Sequence, residues 1–146
     1  MNKFARIAVF AFLALGAVFT ACSSEKADIV FGREWNPGSQ VVADTASEMN
    51  LNDPLFIQFR YGKGFDFQNL EIAFYDGAAK AKEIWKHSVK VNDKMNSYTL
   101  HGKSKRGGYM SARELTKQKG PGTILVEVRT EGKVLASKEL KLVDNK

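Results

Sequence analysis

Three segments of the chain alternate between apolar and polar side chains. Leu55-Phe56-Ile57-Gln58-Phe59-Arg60-Tyr61 places Leu55, Ile57, Phe59 and Tyr61 on one face and Phe56, Gln58 and Arg60 on the other. Leu70-Glu71-Ile72-Ala73-Phe74-Tyr75 turns Leu70, Ile72 and Phe74 one way, and Thr123 to Arg129 does the same with Ile124, Val126 and Val128. A period of two predicts strands buried on one side, because successive side chains of a strand point to opposite faces. Shorter apolar runs predict further strands at 29–31, 41–43, 84–91, 97–101 and 134–143. In the last of these the alternation breaks near Ser137 and Lys138, which reads as a bulge.

Turn residues separate these runs. Asn36-Pro37-Gly38, Asp76-Gly77, Asn92-Asp93, Gly107-Gly108 and Gly120-Pro121-Gly122 punctuate the chain. Glu131-Gly132 joins two apolar runs and predicts a hairpin. One helix is expected over 112–119. Ser111-Ala112-Arg113-Glu114 is a capping box, Leu115 supplies a core contact, and Gly120-Pro121 stops it. Thr45-Ala46-Ser47-Glu48 matches the same box but precedes no helical apolar run, so a loop or single turn is expected there.

Seven to eight short strands with frequent turns and one short helix predict an all-β sandwich. Gly120-Pro121-Gly122-Thr123-Ile124-Leu125-Val126-Glu127-Val128, followed by Gly132-Lys133-Val134-Leu135-Ala136, resembles the closing hairpin of immunoglobulin-like and fibronectin III-like bacterial domains. The resemblance covers about the last 35 residues and implies a fold, with no functional residues attached. A disulfide-bonded immunoglobulin core is excluded, since the sequence has one cysteine.

The beginning of the chain has a different pattern. Lys3 and Arg6 precede an uncharged run from Ile7 to Phe19, followed at once by Ser23, Ser24, Glu25 and Lys26. A membrane-spanning helix needs about 20 apolar residues, so this shorter run predicts a signal peptide over 1–21. Phe19-Thr20-Ala21-Cys22-Ser23-Ser24 resembles the lipobox of bacterial lipoproteins, which implies lipidation of Cys22 and a membrane anchor. Ser23 in place of an aspartate after the cysteine implies, by the same resemblance, the outer membrane. Ordinary signal cleavage after Ala21 or Ser23 is the alternative. Residues 22–28 then form a short tether and 29–146 the β-sandwich domain.

Charge adds less. The 146 residues carry 22 Lys and Arg against 16 Asp and Glu, a formal net charge of +6. Removal of 1–21 takes Lys3 and Arg6 with it and no acid, leaving +4. This modest excess does not predict nucleic-acid binding. Lys103, Lys105 and Arg106 lie in a segment with Gly102, Gly107 and Gly108, read as a mobile exposed loop that could meet an anionic envelope polymer or protein. Lys117 and Lys119 add to this basic loop, whose simpler reading is a solvated connection. A second tract, Lys80, Lys82, Lys86, Lys90 and Lys94, reads as a solvated face.

Catalytic patterns are not found. Gly-x-Ser-x-Gly and His-Glu-x-x-His do not occur, and Gly62-Lys63-Gly64 lacks the rest of a phosphate loop. That segment reads instead as a mobile loop carrying Phe65 and Phe67. Ser23-Ser24-Glu25-Lys26 fits Ser-x-x-Lys only within the tether. His87 and His101, with Asp93 or Glu83, form a weak metal pattern, and two ordinary imidazoles are the simpler reading. No catalytic residue, metal site or cofactor is therefore expected. The function predicted is a lipid-anchored envelope binding or structural module. An inhibitor-like domain inserting residues 102–110 into another protein ranks second, and a small envelope enzyme third.

Overall fold

The computed structural model describes residues 27–77, 79–80, 82–117 and 120–145. The signal peptide, Cys22 and most of the expected tether lie outside the described residues, as does Lys119. Strand β1 spans Ala27–Asn36, so the domain begins two residues before the boundary read from the sequence. There follow β2 (Val41–Thr45), β3 (Glu48–Asn50), β4 (Phe56–Tyr61), β5 (Asn69–Asp76) and β6 (Lys82–Lys90). Then come β7 (Ser97–Leu100), helix α1 (Ala112–Thr116), β8 (Gly122–Thr130) and β9 (Lys133–Val143).

The strands form two sheets, ordered β2-β1-β4-β7 and β3-β9-β8-β5-β6. Of the three strands with the clearest alternation, β4 lies inside the first sheet, while β5 and β8 lie inside the second, where Ile72 pairs with Val128 and Phe74 with Val126. The inner faces of β5 and β8 meet Ile29, Phe31, Leu55, Ile57 and Phe59 of the first sheet in one continuous core. Each such fully buried side chain stabilises the fold by roughly 1.5–3 kcal/mol. The connectivity is that of an immunoglobulin-like sandwich. β1, β4 and β7 occupy the A, B and E places, and β9, β8, β5 and β6 the G, F, C and C′ places.

The structure departs from the sequence reading at several points. Where the sequence predicts a loop or single turn, Glu48 opens strand β3, which pairs in parallel with Lys141–Val143. The irregularity in β9 sits opposite Val128 and Arg129, with Leu135 as the extra residue. Lys138 breaks the alternation for another reason. It pairs with Val126 on the inward face of a strand whose outer edge is open there, and its Nζ donates to Ile29 O at 2.8 Å. An inward charge at a strand edge opposes edge-to-edge pairing. Helix α1 ends at Thr116, where Lys117 adopts a left-handed φ of 53°, earlier than Gly120-Pro121 required. Phe65, expected on a mobile loop, is 2% exposed and stacks on Phe59.

Beyond Gly32 the β1–β2 hairpin folds across the outside of its own sheet. A Cβ at Gly32 would stand 2.4 Å from Ala43 O and from the Val42 side chain, so only glycine permits this passage. Trp35 reaches Phe56 and His101, and the Gln40 carbonyl reaches Gln58. Arg33 fastens the crossing through Asp53 at 2.8 Å. Val30, Val42 and Phe56 form a second small core beneath it.

Candidate functional site

The loop after β7 is a closed hairpin. Lys103 bridges Tyr109, Ser104 N donates to Gly108 O at 3.0 Å, and Met110 N donates to Gly102 O at 2.8 Å. Gly107 N donates back to Ser104 O at 3.1 Å, which puts Lys105 and Arg106 at the two central turn positions. Gly107 has φ 97°, the positive value that a three-residue hairpin loop demands after its turn. The glycines thus build a defined turn instead of the loose loop expected. Lys103, Lys105 and Arg106 are all exposed, as the sequence implied.

Helix α1 braces the hairpin from below. Ser111 Oγ accepts from Glu114 N at 3.3 Å, and Glu114 Oε2 accepts from Ser111 N at 2.9 Å. The other carboxylate oxygen of Glu114 accepts from Ser104 Oγ at 2.9 Å. These contacts, led by the Ser111 amide and then the Ser104 hydroxyl, hold the Glu114 carboxyl below its ordinary range.

An aromatic cluster supports the hairpin on the sheet side. Tyr109 is 43% exposed and packs edge-on against Phe56 at 4.8 Å and His101 at 5.7 Å between ring centroids. His101 lies 4.3 Å from the Trp35 ring. Burial, and then the nearby Lys103 charge, push the His101 imidazole below its usual value. Trp35 Nε1 and His101 Nδ1 are buried without a protein partner. The site therefore offers three cations and an aromatic edge on a stiff projection, beside an imidazole that favours its neutral form.

The hairpin lies opposite the point where the chain enters the domain. β1 starts at Ala27 beside Tyr61 and runs antiparallel to β4 as far as Gly32, which pairs with Phe56. β7 runs back alongside β4 from Ser97 to Leu100 and delivers the hairpin at that far end. At about 3.3 Å per residue, the tip stands roughly 30 Å from Ala27.

The two histidines are not brought together. His87 lies on β6 and its Nε2 is 3.0 Å from Tyr98 Oη, while His101 sits in the aromatic cluster outside the first sheet. Burial raises the Tyr98 phenol pKa, the opposite of what a phenolate nucleophile needs. No group of three or more His, Cys, Asp and Glu suited to a metal occurs among the described residues.

The second lysine tract is partly structural. Lys80 Nζ is 2.7 Å from Glu127 Oε2 and also lies over the Tyr75 ring, while Lys86 approaches Glu71 at 3.8 Å. Glu71 in turn pairs with Arg129, which also donates to Tyr75 Oη at 2.8 Å. Lys117 lies 5.0 Å over Trp85. Sequence reasoning missed that Glu127, although outward on β8, is 3% exposed beneath this network.

No protein-family model and no curated protein sequence matches this chain. Among solved structures, an immunoglobulin-like protein from Pseudomonas aeruginosa is similar at 14% identity and a TM-score of 0.47. That match covers 80% of this chain and 93% of the other.

Proposed function

We propose that this chain is a non-catalytic binding module of the bacterial envelope, anchored to the outer membrane through lipidated Cys22. It displays the basic hairpin to an anionic envelope polymer or an acidic protein surface. The observation that carries the reading is the placement of Lys103, Lys105 and Arg106 at the end of the domain opposite Ala27. Only four residues separate Cys22 from Ala27. Five steps of chain reach at most about 18 Å, so a lipid at Cys22 holds the Ala27 end near the bilayer and presents the hairpin outward. Exposed charges act within a Debye length of about 8 Å at physiological salt, a range suited to a partner met at the tip.

The test has two arms. Cys22→Ser should release the protein from the membrane fraction or leave an uncleaved precursor, and native protein without acyl mass would sink the anchor. Replacing Lys103, Lys105 and Arg106 with alanine should weaken retention on immobilised envelope polymer at low salt with little change in thermal stability. Equal, salt-independent retention by both proteins would remove the hairpin from the binding surface.

A second reading, an inhibitor-like domain, draws on the stiffness of the same hairpin. Its cross-strand hydrogen bonds and the Ser104–Glu114 brace fix a projecting loop before any partner arrives. Preorganisation lowers the ordering cost of binding. Capture of one envelope enzyme with loss of its activity would favour this reading over polymer binding.

A further inference from the structure

We propose that a second site, the groove between the β1–β2 turn and the β4–β7 pair, binds an acidic saccharide through the Arg60 guanidinium. The groove has a volume of about 550 Å³ and is lined by Ser39, Gln40, Gln58, Arg60, Asn96 and Ser97, with Tyr61 at its border. No acid lines it. The adjoining depression, which shares Arg60, adds Lys138 and again no acid.

Arg60 is exposed and aligned with Ser97 on β7. Its Nε donates to Gln58 Oε1 at 2.7 Å, and among the described residues no carboxylate lies within ion-pair distance of it, although Asp28 stands opposite it on β1. Gln58 is 1% exposed, an uncommon place for an uncharged amide unless its polar atoms are used. They are all used. Its Nε2 donates to Gln40 O at 2.7 Å and to Thr99 Oγ1 at 3.0 Å, leaving Oε1 for the arginine. The amide orientation follows from the network, since arginine only donates and the Gln40 carbonyl only accepts. Gln58 is thus a positioning residue. It fixes one edge of the guanidinium and leaves both terminal nitrogens free for a carboxylate or phosphate, the bidentate geometry that arginine favours.

The turn contributes strain to the same arrangement. Gln40 has φ 55°, a left-handed value that non-glycine residues adopt only where the surroundings hold them in it. Its own side chain, donating to Pro37 O at 2.7 Å, holds it there, and the result is a carbonyl aimed at Gln58. Ser39, Asn96 and Ser97 add hydroxyl and amide groups that both donate and accept as sugar hydroxyls require, and Val41 and Gly62 complete the lining.

The experiment is saturation-transfer difference NMR on the full-length protein in a non-ionic detergent. D-glucuronate and glucose 6-phosphate are the acidic probes, and glucose is the neutral control. Both acids should give saturable signals with Kd in the millimolar range, as about 4 kcal/mol of binding free energy implies, and glucose should give none. Arg60→Gln should weaken binding at least tenfold. Arg60→Lys, which keeps the charge but not the fork, should recover only part of it. Gln58→Met should raise Kd while leaving Arg60 in place. Equal signals from glucose, unchanged binding by Arg60→Gln, or no saturable signal would overturn the proposal. So would Arg60-dependent binding of a diglutamate peptide or of anionic vesicles with none of glucuronate, since the site would then serve a peptide or a lipid headgroup.

Discussion

Removing either partner of the Lys80–Glu127 pair should have unequal costs. The Glu127 side chain is 4% exposed, and Lys80, with its Nζ 2.7 Å away, is 43% exposed. Lys80→Met leaves a buried carboxylate without its nearest cation. Breaking a buried pair in this way typically costs 3–5 kcal/mol. Arg129 Nη1, 3.5 Å from Glu127 Oε1, remains as a weaker ionic contact without hydrogen-bond geometry. It should reduce the loss to about 2 kcal/mol. Glu127→Gln leaves a lysine that can turn into water and removes a carboxylate oxygen that lacks a hydrogen bond. Its cost should stay within about 1 kcal/mol. The double variant should then be more stable than Lys80→Met alone, because the stranded charge is gone. Urea unfolding at pH 7, with slopes checked for equality, gives the three differences. A smaller loss for Lys80→Met than for Glu127→Gln would refute the reasoning, as would strict additivity in the double variant.

Val126→Asp, which places a charge in the 0%-exposed centre of the core, should abolish cooperative unfolding of the domain in circular dichroism melts, since unpaired burial costs several kcal/mol. Ser111→Ala should cost about 1 kcal/mol through loss of the helix cap. Because the Glu114 pKa is lowered, its stabilisation is complete above the ordinary carboxylate range and is lost as pH falls through the folded-state value. Acid titration of the melting temperature should therefore show a shallower decline in Glu114→Gln. His101, also lowered, contributes stability that is complete above the usual imidazole value of about 6.5 and declines as pH falls toward its folded value. His101→Phe should flatten that part of the profile, and an unchanged slope would mean the imidazole titrates freely.

The core was legible where one strand face alone meets the main apolar core. Leu70, Ile72 and Phe74, like Ile124, Val126 and Val128, alternate cleanly because the other face of their sheet carries polar and charged groups, Glu71, Glu127 and Arg129 among them. Strand β3 was not, because it is three residues long and its pairing with Lys141–Val143 joins distant parts of the chain. The outward residues Gln58 and Glu127 read as surface positions yet are buried by elements that the local pattern cannot place. A folded-over hairpin covers the first, and Lys80 covers the second. A signal for the hairpin crossing did exist in Gly32, a glycine inside an apolar strand, which marks close backbone approach. The basic tip was legible as charge but not as a closed turn, because glycine alone does not distinguish a fixed positive φ from freedom. The Arg60 groove left only the alternation of Gln58 and Arg60 on one face. Its chemistry depends on Gln40 and Thr99, which are remote in sequence.

The antiparallel run of β1 along β4 also has a mechanical meaning. A protein tethered near Ala27 and gripped at its far hairpin is stretched along the strand direction. The hydrogen bonds between Ala27–Gly32 and Phe56–Tyr61 then lie across the load and share it, whereas tension applied at right angles would part them one after another. The sandwich should resist pulling between its tether and its tip more than pulling between its tether and the Glu131–Gly132 turn, which lies at the near end. Force spectroscopy with handles at 27 and 105, compared with 27 and 132, measures the difference. Greater force along the first axis would make this domain a strut, able to hold a partner away from the bilayer while bearing tension between them.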